Sequence, residues 1–229
     1  MKTIYVTLFL SCLTSFLFAQ VYQLHGVFSS KNGNTHRIWM FVDGYCSQTT
    51  YQDKQYISTF GGPFVQKEGE VAVQIEYNDT DPTQVGQLQA FPVTITTNTI
   101  QEKSGVLWTK EDAKDQDLDG LWRITGRKQE ANMQTIPRGD RKTIKLLIDG
   151  YFQWIAINPA VKGFYGTGGG KYTFKGGKYT EYILFFSRDN SRVGATLSFD
   201  GKLEKDDWHH SGLSSKGDPI YEIWSRDHQ

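Results

Sequence analysis

Six side chains in the second half of the chain have the types and spacing to hold a ligand: Tyr151, Gln153, Tyr179, Glu181, Arg188 and Arg192. On an extended strand, residues two apart share a face, so 151 pairs with 153 and 179 with 181. If those faces point into a barrel, Glu181 becomes an interior carboxylate. Such a group is costly unless donors, water or a ligand satisfy it. Two readings follow. Glu181 either closes an internal network with Gln153, Tyr151 or Tyr179, or it makes a polar contact to a bound molecule. Arg188 and Arg192 flank a polar turn and either pair with Asp189 within it or hold an anionic group.

Other motifs offer less. Gly166-Thr167-Gly168-Gly169-Gly170-Lys171 lacks the spacing of a phosphate loop, since Tyr165 stands where its first glycine belongs and Tyr172 where its Ser or Thr belongs. Strand glycines of this kind mark bulges. Asp115-Gln116-Asp117-Leu118-Asp119-Gly120 begins like a calcium loop, but Gly126 stands where the closing Glu is needed, which favours a solvated linker. Adjacent His209 and His210 point to opposite faces of a strand and are read as part of an exposed hairpin. No serine sits in a nucleophile-elbow context. No catalytic residue, metal or cofactor is assigned.

These residues are positioned by a duplication. Asp43-Gly44-Tyr45 answers Asp149-Gly150-Tyr151, Thr59 answers Thr167, Gly69 answers Gly177 and Val85-Gly86 answers Val193-Gly194. The later part of the match runs without a gap, which makes repetition the first fact about the fold. The repeat also sets the expected faces. Val71, Val73, Ile75 and Tyr77 become Tyr179, Glu181, Ile183 and Phe185, expected inside. Ile38, Met40 and Val42 become Ile144, Leu146 and Ile148, also expected inside, opposite Tyr45, Ser47 and Thr49 or Tyr151, Gln153 and Ile155. Trp39, Phe41, Phe152, Trp154, Tyr182, Leu184 and Phe186 are then expected outside, either packing the two halves together or offering a surface to a glycan or protein.

Each half holds about eight short strand-like segments separated by turn signals, with type I′ candidates at Asp43-Gly44 and Asp149-Gly150 and a further turn at Asp200-Gly201. No segment has helical periodicity over ten residues or more. The 229 residues carry 25 basic and 25 acidic side chains, and this balance gives no argument for nucleic acid. Met1 to Ala19 reads as a signal peptide cleaved before Gln20, so the mature chain is expected to be secreted or periplasmic. A lipidated Cys12 is the rival, disfavoured by the preceding Phe9-Leu10-Ser11. No later segment has the roughly 20 apolar residues of a spanning helix. With Cys12 removed, Cys46 has no disulfide partner within the chain. The domains are then 21–111 and 117–229, joined by a polar linker at 112–116.

Gly120-Leu121-Trp122 in the first strand of the second half, with Arg226 in its last, resembles the lipocalin signature, in which a GxW tryptophan packs under a late arginine. Gly26-Val27-Phe28 with Lys110 is the first half's form. The mature chain is similar to secreted lipocalin-like proteins of Bacteroidetes-type bacteria. The resemblance implies two tandem, all-β, antiparallel up-and-down barrels and a small apolar or amphipathic ligand. The leading functional expectation is a non-enzymatic binding protein with its site in or at the mouth of the second barrel. A glycan- or protein-binding surface, or an enzyme using Glu181 as acid or base, is the alternative.

Overall fold

The computed structural model describes residues 24–214 and 217–227. The signal peptide expected at 1–19 and Cys12 lie outside the described residues. The first half forms β1 (Gly26–Asn32), β2 (Thr35–Val42), β3 (Tyr45–Gln52), β4 (Gln55–Lys67), β5 (Glu70–Gln74), β6 (Tyr77–Asn78), β7 (Leu88–Ile95), β8 (Thr99–Glu102) and β9 (Leu107–Lys110). The second forms β10 (Gly120–Gln129), β11 (Asn132–Thr135), β12 (Lys142–Ile148), β13 (Tyr151–Asn158), β14 (Gly163–Lys175), β15 (Lys178–Phe186), β16 (Thr196–Glu204), β17 (Asp207–Leu213) and β18 (Pro219–Arg226).

Both halves close on themselves. β3–β4 pairing completes the circuit β1-β2-β3-β4-β5-β7-β8-β9, with β6 added alongside β4. β10–β18 pairing completes β10-β12-β13-β14-β15-β16-β17-β18, with β11 an appendage of β10. The protein is therefore two closed, antiparallel, eight-stranded barrels in tandem. Closure leaves no free sheet edge in either ring. Both Asp-Gly turns have the two positive φ values of type I′, 48° and 75° at Asp43-Gly44 and 52° and 75° at Asp149-Gly150. Asp200-Gly201 is not a turn. It lies inside β16, with Asp200 opposite Lys178 on one side and Ser211 on the other, and the chain reverses at Lys205-Asp206.

The expected faces hold on β5 and on β15 as far as Ile183 but are reversed on β2, β3, β12 and β13, and Tyr77, expected inside, lies between the barrels. Val71, Val73 and Ile75 fill the first barrel, and Tyr179 and Ile183 the second. Trp39, Phe41 and Cys46 also point into the first barrel and Leu147 and Phe152 into the second, whereas Ile38, Met40, Val42, Ile144, Leu146, Ile148 and Ile155 form a third core between the barrels. β2 and β12 are buried on both faces, so apolarity alone could not tell inside from interface.

A bulge then changes sides within β15. Pairing with β14 slips between Gly169 and Gly170, so Ile183 faces the interior while Phe185 joins Tyr51 in the inter-barrel core. Gly170 is required there, because a Cβ would lie 2.0 Å from the Tyr182 carbonyl oxygen; its counterpart Gly62 would place one 1.9 Å from that of Gln74. The glycine cluster is thus a bulge device, as its sequence context predicts.

Residues at the seam are reciprocal. Asp43 in the first barrel accepts a hydrogen bond from the Leu121 amide at 2.8 Å. Its repeat mate Asp149 lies against Gly26, close to Lys110 of the first barrel. The centre is polar: Ser47 Oγ donates to Gln153 Oε1 at 2.7 Å and accepts from the Tyr77 hydroxyl at 2.7 Å, while Gln153 Nε2 donates to Thr167 Oγ1 at 3.0 Å. Lys142 of the second barrel pairs with Glu76 of the first at 2.7 Å.

Candidate functional site inside the second barrel

A cavity of about 510 Å³ opens within the second barrel, with Trp154, Ile183, Phe186, Leu197, Phe199 and Trp224 among its walls. Its buried polar groups come from four strands. β12 contributes Lys145, β15 Glu181, β17 His210 and β18 Glu222, all buried. Lys145 Nζ lies 3.1 Å from Glu181 Oε1, which also accepts the Tyr179 hydroxyl at 2.9 Å. Around the ammonium stand the rings of Tyr179, Trp208 and Trp224, with centroids at 5.0, 5.1 and 5.1 Å. Ring faces stabilise a cation that has lost its water, and the Glu181 carboxylate balances its charge.

Glu222 forms the second polar group. It accepts from Arg127 Nη2 at 2.7 Å and from Trp224 Nε1 at 3.1 Å. Burial alone would raise its pKa, but the His210 ring, Arg127 and Lys145 outweigh that and hold the carboxyl at about 2. His210 Nδ1 lies 3.5 Å from Glu222 Oε2, at the limit of contact, and neither ring nitrogen makes a hydrogen bond. Burial pushes the His210 pKa down, the Glu222 contact opposes the shift and Lys145 adds to it.

The first barrel is filled at the matching positions. Lys145 answers Trp39 and Glu181 answers Val73, both wholly buried. Trp39 packs against Phe41, Phe91 and Trp108, with centroids at 4.9, 5.6 and 5.4 Å. Gly168 answers Phe60 in the β-strand register, and a Cβ there would meet Trp154 and Phe186 at 2.7 and 2.8 Å. Its missing side chain is what lets those two rings line the cavity. A recess of about 460 Å³ in the first barrel is bounded by Leu24, Phe28, Gln66, Ile95 and Lys110, away from Trp39 and Val73.

Of the six residues picked from sequence, the structure brings three to this cavity. Glu181 lines it, Tyr179 supports Glu181 from the core beside it, and Arg192 stands in its wall with Asp189 at 3.2 Å. Tyr151 and Gln153 do not join Glu181. They lie at the seam, where Tyr151 carries Lys171 over its ring at 3.8 Å. Arg188 lines a separate shallow recess with Tyr56, Asp79 and Phe164. The displacement of Tyr151 and Gln153 follows from the reversed face of β13, whereas Arg188 lies in the turn beyond the bulged strand β15.

Sequence reasoning missed Lys145, His210, Glu222 and Arg127. Lys145 alternates with Ile144 and Leu146, which the repeat expects inside, so that expectation draws no attention to it. The signal against that was Trp39 and Phe41, aromatic on the same face of the first copy. His209 and His210 do point to opposite faces, but the expected exposed hairpin is corrected: His210 is buried among Phe199, Trp208 and Tyr179. Trp39, Phe41, Phe152, Trp154 and Phe186, expected outside, turn inward, and Leu184 packs at the seam; Tyr182 is the member of that set left exposed.

The expected Trp–Arg arrangement is present. Trp122 pairs with Arg226 across β10 and β18, and the guanidinium carbon lies 4.0 Å from the indole centroid. Phe28 and Lys110 repeat it more loosely at 6.0 Å. At the start of β10, the carboxylates of Asp115, Asp119 and Asp149 come within 4.8 Å of one another. Asp119 already accepts from Tyr172 and the Gln116 amide. Cys46 is buried and unpaired, and burial pushes its thiol up to about 12, which leaves it unreactive.

No family model and no curated protein matches the chain. A solved structure of a lipocalin-like protein from Bacteroides uniformis is similar at 14% identity with a TM-score of 0.35, over 49% of this chain and 100% of that one. The barrel architecture itself rests on the strand pairing given above. Among the described residues, no helix is long and apolar enough to cross a membrane.

Proposed function

We propose that this is an exported, non-enzymatic binding protein that holds a small, partly apolar ligand inside its second barrel. One observation carries the reading. The second barrel has a cavity of about 510 Å³ with aromatic walls and a buried polar floor, where its duplicate is filled by Trp39 and its neighbours. Small-molecule sites typically occupy about 300–1,000 Å³, are mostly apolar and carry a few placed polar groups. Export rests on the sequence of Met1 to Ala19. The Lys145–Glu181 pair favours binding over catalysis, because each charge already has its partner.

The test is titration with an uncharged fluorescent probe, N-phenylnaphthylamine. One probe should bind per chain, and Ala195→Trp, which fills the cavity wall, should abolish binding. Leu88→Ala, on the outside of the first barrel, should leave it unchanged. Equal binding by wild type and Ala195→Trp would place the probe elsewhere and remove the reading.

A further inference from the structure

The charges around the cavity define the ligand's polar end, provided the cavity is the binding site proposed above. Lys145 is paired with Glu181 and Arg127 with Glu222, at 3.1 and 2.7 Å, so the charges of the floor are balanced, while Lys128 and Arg192, the latter paired with Asp189, stand in the wall. A charged head seated on the buried Lys145–Glu181 pair would unbalance two charges that already compensate each other. A wholly apolar ligand fits no better, because the floor has unused hydrogen-bonding capacity. The Lys145 ammonium has three hydrogens and one oxygen acceptor, Glu181 Oε1. His210 is 3% exposed, and neither of its ring nitrogens has a partner within hydrogen-bonding geometry. Buried polar atoms in native proteins are rarely left so, and an unfilled partner position beside a cavity points to a ligand.

An uncharged group that both donates and accepts answers each of these demands. A hydroxyl can accept from the ammonium and donate to an imidazole nitrogen without changing the net charge of the floor. We infer that the second barrel takes an apolar molecule ending in a hydroxyl, bound at Lys145 and His210, with its body along Trp154, Phe186 and Trp224.

The test uses one apolar body with three heads, naphthylmethanol, naphthoate and naphthylmethylammonium, titrated calorimetrically into the full chain at pH 7.5. The alcohol should bind at least ten-fold more tightly than either ion. If naphthoate or the ammonium binds as tightly as the alcohol, the hydroxyl assignment is overturned while the cavity reading stands. If none of the three binds, both are overturned. In His210→Phe the alcohol should lose most of its ten-fold advantage. If that variant does not fold, Lys145→Met/Glu181→Met, which replaces both charges together, should erase the preference while still binding the apolar body. An undiminished preference in a folded variant counts against the assignment.

Discussion

The two barrels share strand order, closure, Asp-Gly turns and glycine bulges, yet at matching positions one is filled and the other is open. In the first, Trp39 fills the centre against Phe41, Phe91 and Trp108. In the second, the same strand position carries Lys145, and the charge that this introduces is answered by Glu181 where the first barrel has Val73. The substitutions make sense only together. A buried lysine needs a carboxylate, and a buried carboxylate needs a donor. Exchanging a large ring for a lysine, and Phe60 for Gly168, also removes packing volume. The duplicate therefore shows what a filled version of this barrel looks like, and which changes open it.

That comparison can be broken most sharply at its two centres. Trp39→Ala should cost about 3–5 kcal/mol, the usual range for emptying a packed aromatic site. Lys145→Met should cost a similar 3–5 kcal/mol, because it strands the Glu181 carboxylate in the interior. The two barrels part company at the double change. Lys145→Met/Glu181→Met should recover the loss and reach or exceed wild-type stability by about 1–4 kcal/mol, as paired buried charges often can be replaced by apolar groups. Urea midpoints would measure all three, and a double variant no better than Lys145→Met would refute the coupling of the two substitutions.

A smaller effect is expected at the seam. Gln153→Ala removes the acceptor of the Ser47 hydroxyl and the donor to Thr167 Oγ1 and should cost about 1–3 kcal/mol. If Gln153 instead lay in the cavity, the same change would alter ligand affinity, so paired stability and binding measurements separate the two placements. Gly120→Ala should cost about 1–3 kcal/mol, since φ there is 145° and a Cβ would overlap the Arg226 guanidinium. Gly33→Ala, in an open turn at φ 59°, should cost less.

The smallest expected effect is on pH dependence. His210 has its folded pKa lowered by burial, so its neutral form stabilises the fold above about pH 6.5, and that contribution is lost as pH falls through the lowered folded value. Glu222, held at about 2 against the charge-opposing effect of burial, adds stability above about pH 4.5 that is lost on further acidification. The melting temperature should therefore decline from pH 7 to 3. His210→Phe should flatten the upper part of that decline and, because the ring also holds Glu222 down, reduce the lower part as well. An unchanged profile in that variant would show that His210 does not titrate in the transition.

Much of the architecture was legible in the chain. The repeat, the turns and the alternation of β5 and β15 led to two barrels and put Glu181 inside. The site was only partly legible, because β12 is apolar on both faces at Ile144, Leu146, Leu147 and Ile148, with Lys145 among them. An amphipathic strand declares its inside through contrast, and a strand buried on both faces has none to offer. The weak clue lay in the other copy, where the large rings of Trp39 and Phe41 alternate with smaller aliphatic residues.

The sequence by itself determined local and repeated features: type I′ turns at Asp43-Gly44 and Asp149-Gly150, bulges where glycine removes a Cβ, and a carboxylate in one copy where the other has valine. Those depend on neighbours along the chain and on period-two geometry. Only the tertiary structure decided that the aliphatic faces of β2 and β12 meet each other, which turns Lys145 inward and Gln153 outward. It also brought His210 and Glu222, far along the chain from Lys145, to the same cavity. Which apolar face of a strand becomes the interior depends on what covers the other face, and here the second barrel covers it.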